Sequence, residues 1–446
     1  MKHGKFMLTA VALATCAVSG GAYAQVTAEQ LQQALVQAQQ AAAQAQAAAQ
    51  AAQAALAQVQ AQAAAAAAQP RSAGTLTGGA GTGLTYASGA NSVSLYGLLD
   101  ITATHVDHAN AAGDSRTSYH PTPWFSGSRW GMTGSHALGD GGLKAIFRLE
   151  SEFVTNTGEE DTTGVLFGRD AWAGFESDGL GKLTFGRQNA LARDFAANYL
   201  DPYGNAKTTT NEGGGTNTNN FKQLIFYAGS ATGTRYDRGV VWKKDFHNGL
   251  VAGVGYQFGG VAGAFNTGST KTLALGYNAG ALNVAGFIDA ANVAGLSHRS
   301  SSIGGNYTMG IVRVNAGIFH YSAGQGAGGA MPQRKDNAWT LSANIAPAGK
   351  FDYQVGYQVM SATNAGITGA GAGLNVLNAY ANTSGVAAVV TGKRKTFYLS
   401  GFYHLDKQTE LYAVADRLTM TGGWRQASTN GFLNQTEFGL GMRFRF

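Results

Sequence analysis

The chain has 446 residues, 44% hydrophobic and only 13% charged, with 64 glycines, 6 prolines and a single cysteine. A net charge of +6, with no Lys/Arg-dense patch among the aromatics, does not support nucleic-acid binding. No apolar run is long enough for a transmembrane helix. A glycine-rich, weakly charged, aromatic chain without such a run suits strands that cross a membrane, whose alternation a hydropathy scan does not see.

Residues 1–24 read as a secretory signal peptide. Lys2 and Lys5 form a positive start, residues 6–18 an apolar core too short to span a bilayer, and Ala22-Tyr23-Ala24 a small-x-small cleavage site. Leu13-Ala14-Thr15-Cys16 loosely resembles a lipid-attachment motif, but Thr before the cysteine is unusual there and the apolar run continues past it. Cleavage after Ala24 removes the only cysteine and two lysines, so that +6 becomes +4.

Residues 25–69 are an Ala/Gln tract, and both residues are strong helix formers. Steps of three and four from Ala28 meet Leu31, Leu35, Leu56, Val59 and otherwise alanine, and never glutamine. This is the seam of a coiled coil, narrow and weakly apolar, which implies partner helices. A solvated helical spacer is the alternative. Pro70 ends the helix, and residues 70–91, rich in Gly, Ser and Thr, read as a flexible linker before a barrel domain over 92–446. The Gly-rich run in the linker is not a phosphate loop, because no Lys-Ser/Thr follows it.

From Ser92 the chain becomes a series of hairpins. In Ser128–Phe153, the turn Gly139-Asp-Gly-Gly142 joins two alternating arms. Lys144, Arg148, Glu150 and Glu152 fall on one face of the second arm; Leu143, Ala145, Phe147, Leu149 and Phe153 fall on the other. The pattern recurs over residues 93–101, 165–177, 182–188, 235–246, 250–258, 270–278, 281–290, 300–308, 311–321, 337–345, 351–360, 393–405, 410–419 and 435–446. That predicts sixteen strands, with fourteen or eighteen also compatible. Short and long connections alternate, and Pro121, Pro123, Pro202, Pro332 and Pro347 are expected in loops or turns.

The predicted fold is an all-β transmembrane barrel of about 16 antiparallel strands, preceded by a helical coiled-coil extension. Residues 189–234 form a connection long enough to fold inward as a third loop and narrow the lumen. Its acidic residues are Asp194, Asp201 and Glu212. Arg235 shares its parity with Asp237 and Lys243 and is expected to face in.

Ser94-Leu-Tyr-Gly-Leu-Leu-Asp100, Ser128-Arg-Trp-Gly131, Gly139-Asp-Gly-Gly-Leu-Lys-Ala145, Phe185-Gly-Arg-Gln188 and the terminal Met442-Arg-Phe-Arg-Phe446 form an ordered set. With it, residues 92–446 resemble the general porins of Gram-negative bacteria, most closely the trimeric beta-proteobacterial type. The resemblance implies passive diffusion of ions and small hydrophilic solutes, with no cofactor. It implies a homotrimer among outer-membrane lipid and lipopolysaccharide, assembled by the barrel-assembly machinery through the terminal Phe446. An inward loop opposite a basic wall is implied too, with Arg129 and Arg187 the wall candidates. Arg187 shares parity with Leu183 and Phe185, so it needs a bulge or a place above the bilayer. The acidic loop tip common in the family is absent, which leaves ion sign open. The helical extension would hang in the periplasm, where stabilising the trimer, holding solute near the pore and contacting peptidoglycan are all compatible roles.

Three other readings are weaker. A substrate-selective porin for a sugar or an anionic solute would show an aromatic slide or a basic ladder; Tyr119, Trp124 and Phe125 are the nearest aromatics. An outer-membrane enzyme needs clustered acid-base groups, and His105-Val-Asp-His108 places its two histidines on opposite strand faces. A trimeric adhesin needs an exposed passenger, which this sequence lacks.

Overall fold

Alternation along the second part of the chain folds into one continuous antiparallel sheet. The computed structural model describes residues 75–79, 83–119, 124–200, 227–367, 380–423 and 431–446, together with part of 36–61. Contacts divide the chain into Met1–Arg71 and Ser72–Phe446. In the first unit the described residues of 36–61 are helical and exposed. The predicted signal peptide and the seam residues Leu31, Leu35, Leu56 and Val59 lie outside the described residues.

The second unit begins with strands β1 (Thr75–Gly79), β2 (Gly83–Ser88), β3 (Asn91–Val106), β4 (Arg116–Tyr119), β5 (Ser128–Ala137), β6 (Lys144–Phe153), β7 (Asp170–Ser177) and β8 (Gly181–Asn189). Helix α1 (Leu191–Tyr199) follows, then β9 (Arg235–Asp245), β10 (Leu250–Gln257), β11 (Thr270–Ala279), β12 (Leu282–Val293), β13 (Leu296–Met309) and β14 (Val312–Gln325). The last strands are β15 (Met331–Ile345), β16 (Phe351–Ile367), β17 (Ala388–His404), β18 (Thr409–Gly422) and β19 (Asn434–Arg445).

Sixteen of these, β3 and β5 to β19, are the staves of a closed antiparallel barrel. Each pairs with the next, and Glu437–Arg445 of β19 returns to Leu98–Val106 of β3. The seam ends in two reciprocal backbone bonds between Gly97 and Phe446, at 2.9 and 3.1 Å.

The two faces follow the period-2 pattern. On β16, Phe351 and Tyr353 stand exposed, while Asp352, Gln354 and Gln358 are buried. The lumen face carries the polar side chains and the outer face the aliphatic and aromatic ones, as a wall between lipid and water requires.

The structure departs from the sequence reading in four places. Part of the expected linker is ordered: β1 and β2 form a hairpin, and β2 pairs with Asn91–Leu95 of β3. Gly83 and Gly89, both at positive φ, allow its turns, and their small neighbours mask a short strand in composition. Pro332 lies inside β15, near its start, where the ladder to β14 shifts register between Ala323 and Gln325. It therefore removes no regular ladder bond. The strand expected from Val165 begins at Asp170, because Val165, Leu166 and Phe167 form an apolar loop. Finally, the first part of the long connection is helical. Every residue of α1 is buried, and the helix packs on β10 to β13.

Glycines on the buried face make room for that helix. A Cβ at Gly253 would stand 2.8 Å from Leu191 Cδ1. One at Gly317 would overlap Leu200 Cδ2 and lie 2.8 Å from its Cγ. Gly317→Val is therefore expected to lift the end of α1 while the barrel, whose ladder it leaves intact, stays heat-modifiable. Limited trypsinolysis should then cut after Arg193 faster than in the parent chain.

Candidate functional site

The hairpin of β5 and β6 sets the site by register. Arg129 stands opposite Glu152, Gly131 opposite Glu150, and Thr133 opposite Arg148. Gly131 matters because a Cβ there would lie 2.8 Å from the Tyr96 hydroxyl. Its absence lets the Tyr96 hydroxyl donate to Glu150 Oε2 at 2.7 Å.

Glu150 is the hub. Its Oε1 accepts from Arg169 Nε at 2.5 Å and lies 3.7 Å from Arg129 Nη1. Its Oε2 accepts from Arg148 Nη2 at 2.9 Å. Arg148 Nε also lies 3.3 Å from Asp170 Oδ2, and Arg169 pairs with Glu152. Burial pulls Arg169 down, but the Glu152 and Glu150 carboxylates outweigh it and hold its guanidinium above its usual range.

The segment after β8 adds more positive charge. Arg193 of α1 donates to Thr234 Oγ1 at 3.0 Å, and burial together with Arg169 lowers its pKa to about 10. Arg235 lies within electrostatic reach of Arg169, Arg193, Glu152 and Asp170. Its Nε and Nη2 are buried and make no hydrogen bond. Asp194 is neutralised by Lys243 Nζ at 2.8 Å and accepts from Asn189 at 3.1 Å. Five arginines thus share four carboxylates, Glu150, Glu152, Asp161 and Asp170, so the group carries one net positive charge.

Two tyrosines outside the strands bond carboxylates of the lumen face. Tyr227, from the long connection, donates to Asp336 Oδ2 at 2.6 Å. Tyr380, from the connection between β16 and β17, donates to Asp289 Oδ2 at 2.5 Å, and its hydroxyl lies 3.4 Å from the Tyr227 carbonyl oxygen. His298 bonds Tyr321 at 2.7 Å and stacks on Tyr380.

The residues singled out from sequence divide. Arg129, Arg148, Glu150 and Glu152 meet in the cluster. Lys144 does not; it is exposed beside the β5–β6 turn, opposite Glu176. Arg187 sits at a bulge, where the β8–β9 register shifts between Gly186 and Gln188. There it donates to the Gly168 carbonyl at 2.6 Å and pairs with Asp237. Arg235 reaches the cluster by another route than parity. Arg238, at φ 52°, breaks the alternation, so that Tyr236 rather than Arg235 shares the buried face with Lys243. Asp201 and Glu212 lie outside the described residues. Phe446 ends the seam, its ring 41% exposed and stacked on Phe444. Trp124 and Phe125 are buried against Tyr398, Phe402 and Tyr412, so they present no slide to a passing solute.

Sequence reasoning missed Arg169, Tyr96 and Tyr380 as site residues. Arg169 precedes β7 by one residue, and adjacency to Asp170 gives no face signal. Tyr380 lies in a low-complexity Gly/Ala/Asn stretch with no period.

A family model described as Gram-negative porin matches residues 41–423. The chain is 30% identical over 403 residues to an outer membrane porin protein of Bordetella pertussis, covering 81% of this chain and 96% of that one. In fold it is similar to an anion-selective porin from Comamonas acidovorans, with TM-score 0.59 at 20% identity over 80% of this chain and 100% of that one. It is also similar to outer-membrane-expressed OmpT of Vibrio cholerae, with TM-score 0.54 at 16% identity over 81% and 99%. The chain belongs to the Gram-negative porin family. It is an outer-membrane channel for passive diffusion of solutes and not an enzyme.

Two substitutions test the cluster. Glu150→Gln keeps the shape but leaves three guanidinium groups against a neutral amide. It should destabilise the folded barrel by about 3 kcal/mol, the scale of breaking a buried ion pair, read from its heat or urea midpoint. Tyr380→Phe strips one of two donors from buried Asp289, leaving Thr272 on the other oxygen, and should cost about 1–3 kcal/mol locally. Faster amide exchange confined to residues 380–390 would report it.

Proposed function

We propose that this member of the porin family forms a hydrated passage with a bias toward anions, narrowed by the 189–234 connection folded inward as a third loop. Passage needs no conformational cycle; rings of charged side chains set a local potential that enriches one ion sign, and the narrowest section sets the size limit. The observation that carries the anion bias is the arginine excess, with two buried nitrogens of Arg235 free of hydrogen bonds. Arg129, Arg148, Arg169, Arg193 and Arg235 form the basic wall of this passage, and Glu150 and Glu152 hold their guanidinium groups in place. Asp194, already paired with Lys243, offers little counter-field.

The proposal extends to assembly. A homotrimer of the beta-proteobacterial type is supported by the small outward residues Ala145, Ala171 and Ala173 on β6 and β7, which permit close approach of a second wall. After removal of residues 1–24, the Ala/Gln helix would project into the periplasm and join its counterparts as a coiled coil, within reach of peptidoglycan. Phe446 acts as the assembly signal.

The same arginine excess also favours a second reading, a porin selective for an anionic solute. Reversal potential across a KCl gradient tests the first reading. Chloride is expected to be more permeant than potassium, and Arg193→Gln with Arg235→Gln should move the ratio toward unity. A potassium-selective parent channel would overturn it. Saturable block of the current by a dicarboxylate would select the second reading.

A further inference from the structure

Most buried carboxylates on the later strands of the barrel meet a donor. Thr272 and Tyr380 donate to Asp289, and Arg334 and Tyr227 donate to Asp336. His404 bonds Asp352, and Arg443 bonds Glu410. Asp416 of β18 differs. It is only 2% exposed, and neither of its carboxylate oxygens has a hydrogen-bond partner. An ionised carboxylate held out of water without a donor is among the costliest groups a fold can carry.

Register sets a second carboxylate directly against it. Asp416 is the cross-strand partner of Glu437 on β19, and both are buried on the lumen face. Side chains opposed in this way start about 4.5–5.5 Å apart at Cβ, and like charges there repel. The other neighbours bring no relief. Val414 and Leu418, which flank Asp416 on the same face of β18, are buried and apolar. Tyr398, its partner on β17, reaches over Gly356 instead, where an added Cβ would overlap the tyrosine hydroxyl. Beyond Glu437 the next strand offers Val106. Arg394 is the cation within electrostatic reach of Asp416. It pairs with Met420, further along β18, and gives Asp416 no hydrogen bond.

We propose that Asp416 and Glu437 hold a hard divalent cation between β18 and β19, with calcium the ion that fits best. The cation takes the place of the missing donors on Asp416 and screens the two carboxylates from each other. Oxygen donors alone suit calcium or magnesium rather than zinc or copper. Calcium accepts irregular geometry and a partly aqueous shell, whereas magnesium demands a near-ideal octahedron. Among the described residues no third acid or histidine joins the pair as a ligand, so water from the lumen completes the shell. Few charged ligands, with Arg394 in reach, place the Kd at roughly 0.1–1 mM, the range of extracellular calcium modules. The arginine cluster stands on other strands, so the site holds or fails independently of ion selectivity.

Terbium luminescence of the refolded, heat-modifiable protein tests it, with terbium alone as the probe and calcium and potassium as competitors. Trp124 is the antenna, since an added Cβ at Gly439, one step along the same face from Glu437, would lie 3.4 Å from its ring. The parent protein should give a signal that calcium displaces and potassium does not. Asp416→Asn should weaken terbium binding by at least about tenfold. Glu159→Gln, at an exposed carboxylate in the β6–β7 connection, should leave it unchanged. The thermal midpoint gives a second readout. About 10 mM calcium should raise that of the parent. D416N, relieved of the opposed charge, should match or exceed the parent in EDTA and should not respond to calcium. A parent signal that calcium does not displace, or equal terbium affinity in D416N, would overturn the proposal. A midpoint that ignores calcium but shifts with pH in the parent and not in D416N would also overturn it, assigning the pair a shared proton instead.

Discussion

Hydrocarbon offers no partner for a backbone N–H or C=O, so a sheet can cross a membrane only if it leaves no open edge. The structure turns on how this is met at one strand. β3 has 16 residues, and β19 covers only part of one of its edges. The rest of that edge, Asn91–Leu95, is taken by β2. On the opposite edge β5 covers Asn91–Leu98 and the short β4 covers Ala103–Val106. The strands outside the sixteen staves that cover β3 thus sit where a stave alone would leave its backbone unpaired.

Closure decides where charge can go. With lipid outside, carboxylates on β10 to β19 turn inward, and the interior must balance them. It does so by local pairing, as in Arg334 with Asp336 and Arg443 with Glu410. The basic exception is the cluster around Glu150, where arginines from β5, β6, α1 and the start of β9 outnumber their carboxylates. Arg193 and Arg235, from either end of the connection after β8, contribute to that excess beside Arg129, Arg148 and Arg169. In the proposed passage, the position of the connection and the sign of the local potential are one property.

Most of the barrel was legible because a single local rule, alternation, governs each stave. Phe351 to Val359 and Phe438 to Phe446 read directly from residue type. What alternation cannot carry is a change of phase. Arg238 at positive φ and the shift at Gly186 each break the phase, so parity with Lys243 was the wrong ground for placing Arg235, and the facing of Arg187 was left conditional. Strand ends rich in Gly, Ser and Thr gave no contrast, so β16 and β17 run past the spans expected for them. The β1–β2 hairpin was hidden for the same reason. Contacts made by loop residues, such as Tyr380 with Asp289, depend on where the chain returns in space, and no period encodes that.

The account requires that the inward polar face enclose water continuous across the membrane. Single-channel recording of the refolded, heat-modifiable protein in a planar bilayer tests this most directly. Stepwise insertion events with ohmic current in KCl are the predicted result. A barrel that inserts and stays heat-modifiable, yet passes no current at any voltage, would contradict it.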